Sequence, residues 1–237
     1  MFIIGGIMKK AFTLAEVLIT LGIIGLVAAM TLPALIQDHR NHVVETRLAK
    51  FYSTFNQAIQ MAEIEYGDRK IWYSDTGGVE LDEEGKPIEG TAQIDIWFQK
   101  YFSKFIVIKK VVKTSGVLRY YLSDGSSFQF GNDGTVLTSR AIVFFPGNPQ
   151  KCGERDYGIC KFQFGYYPSG KGSEWKYHTN KGLEPEKWNW NGNRNMLIND
   201  SRSGCNPNAT DGGKYCTALI QLNGWKIPED YPFKVRY

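Results

Sequence analysis

From Val17 to Ile36 the chain runs for twenty residues without a formal charge, VLITLGIIGLVAAMTLPALI. At 1.5 Å per residue, a helix of that length spans the roughly 30 Å hydrocarbon core of a bilayer. The buried core helix of a soluble domain passes the same test, but Lys9 and Lys10 stand just upstream of this run. A basic pair before an apolar stretch favours membrane insertion with the lysines left in the cytoplasm. Everything after Ile36 is then expected outside. Lys9 and Lys10 supply two of the formal +4 charges. Without them about +2 remains, too little to argue for a nucleic-acid or acidic partner. The 237 residues suffice for one sizeable domain, and 43% hydrophobic with 22% charged residues is ordinary for a folded one.

Two processing signals compete at this end. A secretory signal would use Val27-Ala28-Ala29 as its small-residue cut site. That reading leaves Glu16 unexplained, because a carboxylate inside an apolar segment costs about 2.5–3.5 kcal/mol near mid-bilayer and less near the interface. A cut between Ala11 and Phe12 supplies a reason. The new amine of Phe12 is cationic, and Glu16 lies four residues on, on the same helical face. In a bundle, the carboxylate of one subunit could neutralise the amine of a neighbour, so that neither charge is buried alone.

The segment Lys9-Lys10-Ala11-Phe12-Thr13-Leu14-Ala15-Glu16-Val17-Leu18-Ile19 resembles the class III signal of type IV prepilins and type II secretion pseudopilins. The resemblance implies that a prepilin peptidase cuts before Phe12 and methylates the new amine. It also implies that Glu16, fifth after the cut, drives assembly, and that Pro33 sits where the family carries a helix-disrupting proline. Ala11 departs from the glycine usual before the cut. Met1 to Ile7 look surplus, so Met8 is a candidate start giving the leader MKKA. The close resemblance covers residues 8 to about 36, with weaker support to about 66.

After Pro33 the pattern turns amphipathic. Val44, Leu48, Phe51, Phe55, Ala58 and Ala62 recur in steps of three and four, with Ile59 widening the stripe. Gly67 is a helix stop. A helix from Phe12 to Tyr66 would be roughly 80 Å long. A kink or melted turn is expected near Pro33, aided by Gly22 and Gly25. Residues 68–92 read as a polar, turn-rich loop. Ile94, Trp97, Phe98, Tyr101, Phe102 and Phe105 mark a short helix. Strand signals follow at Phe105–Val112, Val117–Leu122, Ser126–Phe130, Val136–Thr138, Ile142–Phe145 and Phe162–Tyr167, with Asp124-Gly125 and Asp133-Gly134 as hairpin turns. Short turns force antiparallel neighbours. The fold class is therefore α+β: a long N-terminal helix packed on a small antiparallel sheet, as the pilin resemblance also implies. The expected divisions are a leader at 1–11, a membrane and assembly helix at 12–36, its amphipathic continuation at 37–66 and an exported domain at 67–237.

Four cysteines lie in the exported part: Cys152, Cys160, Cys205 and Cys216. Three pairings are possible, and local closure as Cys152–Cys160 and Cys205–Cys216 is simplest because each loop is short. An oxidising compartment fits that choice. Zinc is the competing use, but seven and ten intervening residues depart from its usual two-to-four spacing. The tail from Cys205 to Tyr237 resembles endings of prepilin-type proteins of uncertain role. Calcium enters through the resemblance, since major pseudopilins bind it in a C-terminal loop. Its candidate donors are Asp124, Asn132, Asp133 and Asp211, which hairpin turns also want for backbone reasons. His39, His42 and His178 show no metal spacing. No nucleophile elbow, phosphate loop or HExxH is present. Trp188, Asn189, Trp190, Asn191 and Arg194 form a candidate sugar- or surface-binding patch, against the plainer reading of aromatic core beside a polar loop.

The sequence thus reads as a non-enzymatic filament subunit, a minor pilin or pseudopilin without cofactor or metal. It would begin as a single-pass inner-membrane precursor and end in a periplasmic or surface filament. Its partners would be the prepilin peptidase, other pilins or pseudopilins, and an inner-membrane assembly platform. Three rivals stand: a competence-type pilin that binds DNA, which the near-neutral charge opposes; an adhesive tip subunit; and an anchored or secreted protein with no filament. The cut site separates the last from the rest. Mass spectrometry of the mature N-terminal peptide is expected to find it starting at Phe12 with a methylated amine. A terminus at Met30 would overturn the filament reading.

Overall fold

The computed structural model describes residues 13–72, 83, 93–114, 117–130 and 140–237. The first element, α1, is a helix over Leu14–Tyr66. The chain divides into two compact units, Met1–His39 and Arg40–Tyr237.

In the first unit α1 carries the uncharged run. Every large apolar side chain from Leu14 to Ile36 is exposed, from 43% at Val17 to 80% at Leu14. Thr20 and Thr31 return their hydroxyls to the carbonyls of Val17 and Val27, at 2.9 and 3.0 Å. Their polarity is thus satisfied inside the helix, as an apolar solvent requires. Pro33 lies inside α1 without ending it, so the expected melted turn is not formed.

The second unit begins where the helix changes character. Val44, Leu48, Phe51, Phe55, Ala58, Ile59 and Ala62 are all buried, the stripe that the helical spacing calls for. Gly67 ends the helix at φ +80°, donating its amide to the Glu63 carbonyl at 3.0 Å. That left-handed backbone is the usual reason for glycine there.

Among the described residues six strands follow: β1 Lys110–Thr114, β2 Val117–Tyr121, β3 Ser127–Phe130, β4 Arg140–Phe145, β5 Phe162–Tyr166 and β6 Leu183–Pro185. They form one antiparallel meander in chain order. The register aligns Tyr120, Phe128, Phe144 and Phe162 in one row and Phe130, Ile142 and Phe164 in the next. Period-two alternation puts both rows on one face, and all seven side chains are buried. The amphipathic half of α1 lies on that face: Phe51 stacks on Phe144 at 4.4 Å and meets Phe128 and Phe164 at 5.4 and 5.3 Å. A second helix, α2 at Gln93–Phe102, brings Phe98 to Tyr120 at 4.5 Å and Phe102 to Phe55 at 5.0 Å.

Polar clasps fix this helix on the sheet. The Arg47 guanidinium donates to the carbonyls of Asp124, at 2.8 Å, and Pro146. Asn56 donates to the Leu183 carbonyl and accepts from its amide, at 3.0 and 2.9 Å. This side chain thereby occupies backbone groups of the edge strand β6. Two further helices, α3 at Arg194–Asn199 and α4 at Cys216–Leu222, lie in the C-terminal part. Beyond α4, Trp225 packs on Tyr52 at 5.0 Å, while Glu45 accepts from Lys226 Nζ and the Ile227 amide, both at 2.9 Å.

The α+β architecture is as read from the sequence. Four details differ. The strand expected from Phe105 starts only at Lys110, because Phe102–Phe105 is a turn closed by the Phe105 amide on the Phe102 carbonyl. β6, α3 and α4 were not foreseen. Val136–Thr138 and the Asp133-Gly134 turn lie outside the described residues.

Phe51 joins three strands to the helix, so its truncation should cost more than any single contact. Phe51→Ala is expected to destabilise the detergent-solubilised chain by about 3–5 kcal/mol in urea titration. Met61→Ala, on the exposed side of α1, is expected to change it by less than about 0.5 kcal/mol.

Candidate functional site

The head of α1 is built around Thr13 and Glu16. The Thr13 amide and hydroxyl both donate to Glu16 Oε2, at 2.8 and 2.9 Å. In return the Glu16 amide donates to Thr13 Oγ1 at 3.2 Å. This is a reciprocal capping box, which satisfies amides that a helix start leaves unpaired and sets a carboxylate against the positive end of the helix dipole. The pattern Thr-x-x-Glu announces it in the sequence, a use of Glu16 within its own chain beside the expected intermolecular one. Ala11 and Phe12 lie outside the described residues. Charge returns at Asp38, His39, Arg40 and His42, all exposed, directly after the apolar run.

The cysteines pair locally, Cys152 with Cys160 and Cys205 with Cys216, with Cα atoms 6.0 and 4.6 Å apart. No sulfur is left as a thiol. Loops of 8 and 11 residues give roughly 2–3 kcal/mol each by the chain-entropy estimate, which is model-dependent. Cys205 and Cys216 are wholly buried in a second apolar cluster with Leu197, Tyr215, Ala218 and Leu219. That bridge ties the chain beyond α3 to the first residue of α4.

Of the candidate calcium donors, the two described ones, Asp124 and Asp211, each have cationic partners. Asp124 accepts from the Ser126 amide at 3.0 Å and from Lys50 at 3.0 Å, as a turn residue with an ion pair. Gly125 beside it adopts φ +81°, the backbone the hairpin needs. Asp211 lies between Arg202 and Lys214, at 3.0 and 3.2 Å. Asn132 and Asp133 lie outside the described residues. No group of three or more His, Cys, Asp or Glu able to hold a metal occurs among the described residues.

The Trp188–Arg194 segment is mostly occupied with itself. The Trp190 indole donates to the Asn193 carbonyl at 2.8 Å and packs on Tyr177 at 4.6 Å. Asn191 accepts from the Asn193 amide at 2.8 Å. Asn189 holds a left-handed turn at φ +56°. Arg194 spans both oxygens of Asp230, at 2.6 and 2.9 Å. Of its two tryptophans Trp188 keeps the more open face, 40% exposed, and Asn189, Asn191 and Arg194 are exposed beside it.

Two buried polar groups nearby were not singled out as a site by sequence. His178 is fully enclosed, edge-on to Tyr167 at 5.2 Å, with Nε2 accepting from the Lys187 amide at 3.1 Å. Its Nδ1 has no hydrogen-bond partner. Burial, reinforced by Lys187 and Lys181, pushes its pKa down to about 3. Burial pushes the Glu186 carboxyl up, against the pull of the Trp188 amide, Lys214 and the Tyr167 hydroxyl. Neither carries a pattern signal, since the residues around them, such as Tyr167, Trp175 and Lys187, follow no helix or strand period.

Residues 34–235 match the model of a family described as of unknown function, DUF6613. No curated protein and no solved structure matches the chain. The matched stretch begins just after Pro33, so the head of α1 lies outside it.

His178 gives the protein a pH-dependent stability of known sign. Its folded pKa lies below the ordinary 6.5, so between about pH 6.5 and 3 the unfolded chain binds a proton that the native chain refuses. The stability of the neutral ring is fully present above that range and is lost as pH falls through it, by up to about 1.4 kcal/mol per unit. Glu186 acts oppositely, its contribution fading as pH rises above the ordinary 4.5. Urea midpoints of wild type are therefore expected to fall more steeply from pH 6.5 to 4.5 than those of His178→Gln. Parallel slopes would show that the ring is not buried neutral.

Proposed function

The chain belongs to that family of unknown function, and from this premise we propose that it is a minor pilin or pseudopilin. In this reading it is a non-enzymatic subunit, cut before Phe12 by a prepilin peptidase and assembled through the head of α1. The observation that carries the reading is the surface of α1 from Val17 to Ile36, uncharged all round and with every large apolar side chain exposed. Its helix is long and apolar enough to cross a membrane. A helix of that kind has two stable surroundings, lipid and other helices. A filament subunit uses both in turn, first as membrane precursor and then in the bundle. A Cβ at Gly22 or Gly25 would meet no atom of the chain within 4 Å. Neither glycine is therefore demanded by the chain's own packing, which suits contacts made by neighbours.

A second reading rests on one observation. Glu16 is already engaged by Thr13, so its presence in the apolar segment can be explained by helix capping in a singly anchored monomer. The two readings part at the charge. Glutamine at the third helical position keeps the box, whereas leucine removes it.

Glu16→Gln and Glu16→Leu are therefore to be compared with wild type in membrane and sheared-filament fractions of the native host. Both variants are expected to insert and to be cut before Phe12, since the cut site is untouched and removing a charge eases insertion. Both are expected to be lost from filaments, because the neighbour's amine is left without a counter-charge. Normal incorporation of Glu16→Gln with loss of Glu16→Leu would assign Glu16 to capping alone. Absence of wild type itself from filaments would establish the anchored monomer.

A further inference from the structure

The outer face of the sheet, opposite the aromatic rows, carries an open cleft of about 380 Å³. That volume lies in the roughly 300–1,000 Å³ range of small-ligand sites. Its floor is Ala141 on β4 and Gln163 on β5, whose neighbours Ile142, Phe162 and Phe164 point the other way into the core. Trp175 and Trp188 come from the loops flanking β6, and Tyr215 from the disulfide-closed segment just before Cys216. Glu186 lies among them, 9% exposed. The walls are joined to each other: the Tyr215 hydroxyl donates to the Trp188 carbonyl, and the Trp188 amide donates to Glu186 at 3.0 Å. A bond between the two walls, with the Cys205–Cys216 bridge behind one of them, keeps the cleft formed without a ligand.

The charges select the ligand class. Arg202 and Lys214 at the rim both pair with the single carboxylate of Asp211, and Glu186 brings the lining to two acids against two bases. The formal charges thus balance, so the cleft has no net charge that would select a phosphate, a sulfate or an organic cation. What remains favourable is a neutral molecule with apolar faces for indole and phenol rings and hydroxyls for a carboxylate and a carboxamide. We propose that this cleft binds one or two pyranose units of a neutral saccharide, stacked against Trp188 and hydrogen-bonded at Glu186 and Gln163. Burial raises the Glu186 carboxyl above the ordinary range, and either of its protonation states can bond a hydroxyl. The proposal concerns the 40–237 unit and stands whether or not the chain enters a filament. It also replaces the Trp188–Arg194 patch by a different set, in which Trp188 is the shared member and Trp190 takes no part.

The full chain, purified with its disulfides intact in a sugar-free zwitterionic detergent, is to be titrated with cellotriose, chitotriose and mannotriose. Saturation-transfer NMR and calorimetry provide the readouts. Saturable binding of at least one trisaccharide is expected. Trp188→Ala should weaken it about three- to tenfold, the loss of one stacking contact. The near-isosteric Glu186→Gln should also weaken it, and serves as the decisive variant if Trp188→Ala fails to fold. Trp190→Ala should leave it within about twofold, since that ring lies on Tyr177. Failure of all three sugars to bind, binding unaffected by both cleft variants, or binding of a heparin disaccharide or tetra-alanine instead would each overturn the proposal.

Discussion

Phe51 stacks on Phe144 at 4.4 Å, and the order of the globular unit follows from that contact. A phenyl ring on a helix can reach three strands only if their aromatic residues stand in register on one face. The rows Tyr120–Phe128–Phe144–Phe162 and Phe130–Ile142–Phe164 provide that register. A one-residue slip in any pair would turn a row toward solvent, so the packing of α1 and the pairing of β2 to β5 enforce each other. The same alternation frees the outer positions from core duty. Ala141 and Gln163 can floor a cleft because Ile142, Phe162 and Phe164 already face α1.

The helix that delivers Phe51 meets two different demands along one continuous backbone. From Val44 to Ala62 its apolar stripe is covered by its own chain, and its flank is bolted by Arg47, Asn56 and Glu45 to backbone groups of the sheet and tail. From Leu14 to Ile36 there is no stripe, because apolar groups cover every side and none of the large ones is covered by its own chain. At about 25 cal/mol per Å², leaving some dozen such side chains in water would offset much of a domain's net stability. The first unit is thus the part of the chain long and apolar enough to cross a membrane.

Periodicity made the large features legible: the stripe from Val44 to Ala62, the short aromatic helix, five strand signals and the turn at Asp124-Gly125. Short loops likewise made the local cysteine pairing the simplest one. The sequence was silent where structure depends on distant neighbours. β6 is only Leu183–Pro185, preceded by Gly182 and ending in proline, and it exists because β5 pairs with it and Asn56 holds its outer edge. A three-residue strand has no period to detect. α3 and α4 are six and seven residues long and are held beside the Cys205–Cys216 bridge, so propensity says little about them. Glu186 and His178 are polar residues whose burial is decided by loops folding over them. Trp188 was legible as an aromatic of interest, but its partners Trp175, Glu186 and Tyr215 were not, because no spacing in the chain links them.

The capping box reshapes what Glu16 can do without removing the pairing idea. Both donors of Thr13 end on the same oxygen, Oε2, at 2.8 and 2.9 Å. A carboxylate offers about four acceptor positions over its two oxygens, so the cap uses about half of them. The cap also leaves the formal charge in place, since a threonine amide and hydroxyl donate hydrogen bonds but bring no cation. A carboxylate held in this way is oriented, and among the described residues it meets no cation at the start of the apolar helix. Its most favourable remaining partner in a low-dielectric bundle is a cation small enough to approach Oε1, and an α-amine meets that description. Capping and subunit pairing are therefore compatible uses of one side chain. The first fixes its rotamer within the chain, and the second would settle its charge between chains.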